Sequence, residues 1–268
     1  MRQKLVWTGL ALAGLWAGLR WFERANLYIP SARHEAHPGS YGLPYEDLSL
    51  SSADGARPHG WFLSAGPHTP SVVVVFHGNG GNISHRLEKA RALRAMGHSV
   101  LLFDYRGYGK SLGRPSEKGL YLDGEAAARE GLARAGGDPK RVAYYGESLG
   151  CAVALETALR LPPAALVLDS PFASTVAMGR AAFPWLPSEW LVRERYDNAA
   201  KIPRLKVPLQ VMHSPQDDII PFAMGRQIFS AAPEPKTFVE TQGDHNEGFM
   251  ETPHWASSIQ AFLAPLQK

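Results

Sequence analysis

The run of residues 72–76, VVVVF, restricts the fold more than any other segment. Four consecutive β-branched residues and a phenylalanine, without polar alternation, fit a strand buried on both faces. Such strands occur inside parallel sheets covered by helices on each side. The rest of the chain alternates to match. Strand-like runs fall at 47–50, 59–63, 99–103, 141–145, 165–168, 209–213 and 236–240, and helical spacing falls at 84–96, 117–135, 151–161, 222–232 and 253–266. Asp54-Gly55 is a turn signal between the first two strands, which predicts a hairpin leading into a βαβα series. The expectation is an α/β fold with a mostly parallel, eight-stranded sheet and helices on both faces. One interruption, at about 171–207, contains Phe183, Trp185, Trp190 and several prolines and reads as a small lid insertion. No internal repeat is present.

Before this body, residues 5–19 carry no charge and follow Arg2 and Lys4. As a helix that run spans about 22 Å, and Arg20, Trp21 and Phe22 extend it with a residue that can snorkel and two that suit an interface. Residues 1–25 are therefore expected to form a single N-terminal membrane anchor. One alternative is a signal peptide, which would make the mature protein secreted or periplasmic, though the bulky, charged residues after the run oppose cleavage there; the other is a soluble buried helix, opposed by a run that is apolar all round. Residues 26–46, rich in Pro, Gly and Ser, read as a linker, and 47–268 as the folded domain. A net charge of +3 is too small to point to nucleic acid, and the single cysteine, Cys151, excludes an intramolecular disulfide. No Cys/His spacing resembles a zinc site. His34 and His37 lie in the Pro- and Ser-rich stretch without further ligands nearby in sequence, so no metal is expected.

Two stretches match G-x-S-x-G, around Ser111 and around Ser148. A nucleophile elbow needs a strand before it and a helix after it, so that a tight turn lifts the serine above the sheet edge. Ser148 follows RVAYY and precedes CAVALETALRL, whereas Ser111 is followed by Gly113, Arg114 and Pro115, which oppose a helix. Ser148 is the candidate nucleophile. A Walker A reading of GKS at 109–111 fails because Asp104 stands where the motif needs its first glycine. HGNGGN at 77–82 directly follows the VVVVF strand. HSPQDDIIP at 213–221 follows the strand before last and offers two adjacent carboxylates. GDHN at 243–246 follows the last strand and supplies a histidine.

Together, HGNGGN, DYRGYGKS, GESLG, DSPF at 169–172, HSPQDDIIP and GDHN resemble the α/β-hydrolase superfamily from about residue 26 onward. The likeness is nearest to a membrane-anchored subgroup with depalmitoylase-like and lysophospholipase-like members. That resemblance implies a Ser148–Asp217–His245 triad, in the Ser…Asp…His chain order of the fold, with the register before Pro221 selecting Asp217 over Asp218. It implies backbone donors to an oxyanion from Leu149 and Asn79, and a structural role for His77. Ser214 departs from the usual glycine, and Asp244 stands where glycine is more usual. The expected function is cofactor-independent hydrolysis of carboxylic esters or thioesters of lipid-like or acylated substrates, with Phe172 and Trp185 as substrate-binding residues. The alternatives are a serine peptidase or amidase on the same residues, and a non-catalytic binding protein of this fold.

Overall fold

The computed structural model describes residues 2–66, 71–246 and 248–267. Its centre is an eight-stranded sheet: β1 (Glu46–Ser49), β2 (His59–Leu63), β3 (Val72–Phe76), β4 (Ser99–Phe103), β5 (Val142–Glu147), β6 (Ala165–Asp169), β7 (Leu209–His213) and β8 (Lys236–Glu240). The spatial order is β8-β7-β6-β5-β3-β4-β2-β1. β2 pairs antiparallel with β1 and β4, and every other pairing in this sheet is parallel. All five residues of β3 are buried, as its uninterrupted apolar run requires.

The two-residue period of the strands separates two cores. Val72, Val74 and Phe76 face one layer with Leu101, Phe103 and Leu168. It is covered by α3 (Glu117–Arg134), α4 (Leu149–Arg160) and α7 (Phe222–Ala231). Val73 and Val75 face the other with Leu102 and Tyr145, beneath α2 (Leu87–Ala95) and α8 (Trp255–Leu263). After β6 the insertion begins with short helices α5 (Thr175–Ala182) and α6 (Ser188–Leu191), over the carboxyl ends of the strands, and ends in a further helical turn at Asn198–Lys201. Ligand sites of open parallel sheets lie at that edge.

The N-terminus forms α1 (Arg2–Leu27). Among the described residues, no helix is long and apolar enough to cross a membrane. The expectation of a spanning anchor is not supported. The uncharged run ends at Arg20 and is diluted by Thr8 and three glycines, too short for a hydrocarbon core of about 30 Å. The end of α1 is built into the body instead. Arg20 donates to the Leu191 carbonyl and pairs with Glu23, whose Oε1 accepts the amides of Arg193 (2.6 Å) and Glu194 (3.0 Å). Phe22 meets Phe183 edge to face at 6.2 Å. The following stretch lies against the domain. Tyr28 is buried with its hydroxyl 2.8 Å from that of Tyr196, and Ile29-Pro30 pair in parallel with Gly80-Gly81.

Candidate active site

Ser148 occupies the turn from β5 into α4 with φ 53° and ψ −117°, a left-handed conformation rare for a residue with a side chain. The flanking glycines are required by space. A Cβ on Gly150 would lie 1.9 Å from the Phe76 carbonyl oxygen, and one on Gly146 would lie 2.7 Å from the Gly150 oxygen. The tightness of the turn thus brings β3, β5 and α4 into backbone contact and leaves the serine at the crest.

The sheet edge brings Ser148, Asp217 and His245 together across wide gaps in sequence. His245 Nε2 is 3.0 Å from Ser148 Oγ, and its Nδ1 is 2.8 Å from Asp217 Oδ2. Asp217 is held by the loop after β7. Its Oδ1 accepts the amides of Ile219 (3.0 Å) and Ile220 (2.7 Å), and His213 Nε2 lies 3.2 Å from Oδ2. Burial works against the charge, but the two histidines and the backbone donors outweigh it and hold the carboxyl well below the usual carboxylate range. Burial likewise opposes protonation of His245, yet the hydrogen bond and charge of Asp217, with Glu147 and Asp169 beyond, raise its pKa. Asp218 Oδ1 instead accepts the His245 amide at 3.2 Å, so the two adjacent carboxylates divide between side chain and backbone of one histidine. Ser214 donates to the Gly243 carbonyl at 2.6 Å, tying the acid loop to the histidine loop, an anchor that glycine would lack. Asp244 is exposed and accepts the Asn246 amide at 2.8 Å.

Leu149 and Asn79 line the same cavity as Ser148. Leu149 opens α4, where backbone N–H groups have no partner within the helix. The Asn79 carbonyl accepts the Tyr108 hydroxyl (2.9 Å) and the Ile29 amide (3.1 Å), which fixes this loop from behind. His77 is fully buried with Nδ1 2.7 Å from the Gly78 carbonyl, and burial pushes its imidazole down to about 4. Ser111 stands apart from the site. It is buried, donating to the Asp104 carbonyl and accepting the His59 amide, each at 2.8 Å.

Sequence reasoning missed the charges beneath Ser148. Glu147 pairs with Arg86 at 3.0 Å and Lys89 at 2.5 Å, and Lys89 also reaches Asp169 at 3.4 Å. Tyr145 donates to the same Asp169 carboxylate, whose backbone carbonyl accepts the Ser148 amide at 2.9 Å. Arg86 and Lys89 fall within the 84–96 run, whose helical spacing says nothing of a partner for either charge. The available signal was Glu147 itself, an acid wedged between glycine and serine that needs a counter-charge once buried.

The cavity above Ser148 has a volume of about 430 Å³. Phe172, Met178, Phe183, Leu186 and Leu191 form one wall, and Leu19, Phe22 and Leu27 of α1 form another. Phe172 lines this cavity; Trp185 does not, being 77% exposed and edge-on to Phe183. The reason is local, since Phe183 and Leu186 take the inward positions on either side of it. The contribution of α1 was invisible in the sequence because nothing local links residues 19–27 to residue 148.

A family model described as serine aminopeptidase, S33, matches residues 67–196. The α/β-hydrolase domain-containing protein WAV2 of Arabidopsis thaliana is 30% identical over 280 residues, covering 94% of this chain and 91% of its own length. The chain belongs to the α/β-hydrolase family. An uncharacterised protein of Mycobacterium tuberculosis is 42% identical over 230 residues, covering 84% of this chain and 81% of its own. The lysophosphatidylserine lipase ABHD12 of Macaca fascicularis is 30% identical over 198 residues, which are 66% of this chain but 49% of that protein. The Pyrococcus furiosus esterase Pf2001 superposes with a TM-score of 0.74 at 22% identity, covering 90% of this chain and 98% of that one, a likeness of fold.

Proposed function

We propose that this α/β-hydrolase cleaves carboxylic ester or thioester bonds of lipid-like or acylated molecules through an acyl-enzyme on Ser148. The observation that carries this reading is the Ser148–His245–Asp217 chain of hydrogen bonds opening directly into an apolar cavity. Ser148 Oγ attacks the acyl carbon while its proton passes to His245 Nε2, and Asp217 holds the imidazole in the required tautomer. The amides of Leu149 and Asn79 hold the oxyanion. His245 returns the proton to the departing oxygen or sulfur. It then deprotonates a water that attacks the acyl-enzyme, and the acid leaves as Ser148 regains its proton.

Amide cleavage at a free peptide N-terminus is the rival chemistry, and it needs an acid left open for the substrate's ammonium group. Glu23 and Glu194 line the cavity, but both are engaged. Glu23 accepts two backbone amides and pairs with Arg20, while Glu194 accepts the Glu117 amide and the Tyr28 hydroxyl. Assay of the purified chain on acyl esters, acyl thioesters and aminoacyl anilides separates the readings; faster turnover of the anilides overturns the ester assignment. Met178→Trp fills part of the lid wall. It is expected to lower kcat/KM for a dodecanoyl ester about tenfold relative to a butanoyl ester, the equivalent of about two methylenes left in water. An equal effect on both esters removes Met178 from the acyl site.

Delivery of such substrates from a lipid interface fits the outer face of the molecule. Trp7, Leu12, Leu15, Trp16 and Trp21 on α1, with Trp185 and Trp190 on the lid, are all exposed, a surface suited to lying on an interface rather than crossing it. The full chain is expected to sediment with phosphatidylcholine/phosphatidylglycerol vesicles, and Leu12→Glu with Leu15→Glu to reduce the bound fraction severalfold. Equal sedimentation of the two proteins excludes α1 as the contact.

A further inference from the structure

Away from Ser148, three imidazoles converge on one buried carboxylate. Asp104, fully buried just after β4, has Oδ2 at 2.7 Å from His34 Nε2 and 3.7 Å from His59 Nδ1, and Oδ1 at 4.0 Å from His77 Nε2. The ligand atoms of His34, His59 and Asp104 all lie within 4.8 Å of one another. The histidine side chains are themselves shielded, at 8% exposure for His34 and 13% for His59, against Trp61 and the backbone of Gly109.

The hydrogen bonds on the far sides of the rings decide what faces inward. His59 Nε2 lies 2.7 Å from Asp47 Oδ1, so this nitrogen carries a proton and Nδ1 of the neutral ring presents a lone pair. His77 Nδ1 lies 2.7 Å from the Gly78 carbonyl, so its Nε2 also presents a lone pair. Both inward nitrogens are buried without a hydrogen-bond partner. Two lone pairs directed toward a carboxylate repel it unless a positive charge stands between them, either a second proton on the ring or a metal ion. A ring N–H given to a carboxylate or backbone carbonyl on the far side is also the outer-shell pattern of metal-bound histidine.

We propose that His34, His59 and Asp104 bind a divalent transition-metal ion of the zinc type, with His77 Nε2 or a water completing four-coordination. Two or three imidazoles and one carboxylate form a donor set suited to Zn²⁺ rather than to Ca²⁺ or Mg²⁺, which take oxygen. His34 binds through Nε2, which lies 2.7 Å from Asp104 Oδ2; its proton then sits on Nδ1, which is buried without a hydrogen-bond partner. The expectation that His34 lacks further ligands changes because the fold supplies them: His59 begins β2 and Asp104 follows β4, 25 and 70 positions further along the chain.

The ion would act as a clasp. Asp104 Oδ1 accepts the Ile83 amide at 3.0 Å, and Asn82 donates to the carbonyls of Ser31 (3.0 Å) and Arg33 (2.7 Å). One cation therefore joins the segment after α1 to the loop that carries Asn79. This inference is independent of the hydrolytic reading.

The test uses full-length protein without a histidine tag, stripped with chelator and titrated with Co²⁺ and then Zn²⁺. The expected result is one equivalent of Co²⁺ giving the intense visible d–d bands of a four-coordinate site, with Zn²⁺ displacing it. Zn²⁺ at a hundredfold excess over Kd is expected to raise Tm by about 5–10 °C. His34→Gln and His59→Gln are expected to lose the spectrum and the shift, and His37→Gln, at an exposed neighbour, to keep both. A wild type with no such spectrum and no Zn²⁺-dependent Tm overturns the site, as does a spectrum retained in the His34→Gln/His59→Gln double variant. Should the variants fail to fold, the wild-type spectrum and Tm decide alone.

Discussion

Replacing Ser148 with alanine is expected to lower kcat for ester hydrolysis by about 10⁶-fold and to abolish labelling by a fluorophosphonate probe. Ser148 Oγ is the atom that His245 Nε2 meets at 3.0 Å, so the substitution removes the attacking group while leaving the histidine–aspartate pair intact. Labelling should be compared with Ser111→Ala, which lies in the second G-x-S-x-G stretch. Ser111 bonds only to backbone, to the Asp104 carbonyl and the His59 amide, so its loss should weaken the fold without removing the labelled group. Retained turnover in pure Ser148→Ala would falsify the acyl-enzyme. Labelling that disappears in folded Ser111→Ala but survives in Ser148→Ala would move the nucleophile.

Asp217→Asn is expected to cost about 10⁴-fold in kcat, with a distinctive change in pH profile. His245 must be neutral to accept the serine proton, so kcat/KM should rise with pH as the imidazole loses its proton. The Asp217 carboxylate raises the imidazole pKa, which places the wild-type midpoint above the ordinary histidine value. An amide at 217 keeps an oxygen for the Ile219 and Ile220 amides but removes the charge, so the residual activity should titrate at lower pH. Asp218→Asn, whose carboxylate meets only the His245 backbone in this group, is expected to stay within a few-fold of wild type with an unmoved midpoint. Equal losses at 217 and 218, or a midpoint that does not fall in Asp217→Asn, would remove Asp217 from its assigned role.

Much of this arrangement was legible in the sequence because its causes are local. A β-branched run with no polar break can only be an interior strand, and GESLG between a strand and a helix leaves backbone little choice but a tight turn. The eight strands fall where residue periodicity puts them, with boundaries shifted by one or two residues. What escaped was set by contacts across long separations. Lys89 looks like an ordinary helix-surface charge until β5 and β6 bring Glu147 and Asp169 to it. Trp185 looks like the natural pocket residue of the insertion, but the turn of chain around it points Phe183 and Leu186 inward. His34 carries no spacing motif because its companions arrive from different strands. The N-terminal run misled for a related reason: its hydrophobicity was read as a response to lipid, and part of it answers to the lid.

The wall that α1 lends to the cavity separates two kinds of inheritance. The segment matched by the family model, 67–196, contains the serine and most of the insertion but neither α1 nor the loops of Asp217 and His245. Reaction chemistry depends on a few atoms fixed by the sheet edge and tolerates little drift. The cavity, by contrast, is closed in part by residues 19–27, which tighten no strand and hold no catalytic group. A protein with the same serine, acid and base but other side chains at 19–27 and on the inner face of the lid is expected to take a differently shaped substrate while performing the same reaction.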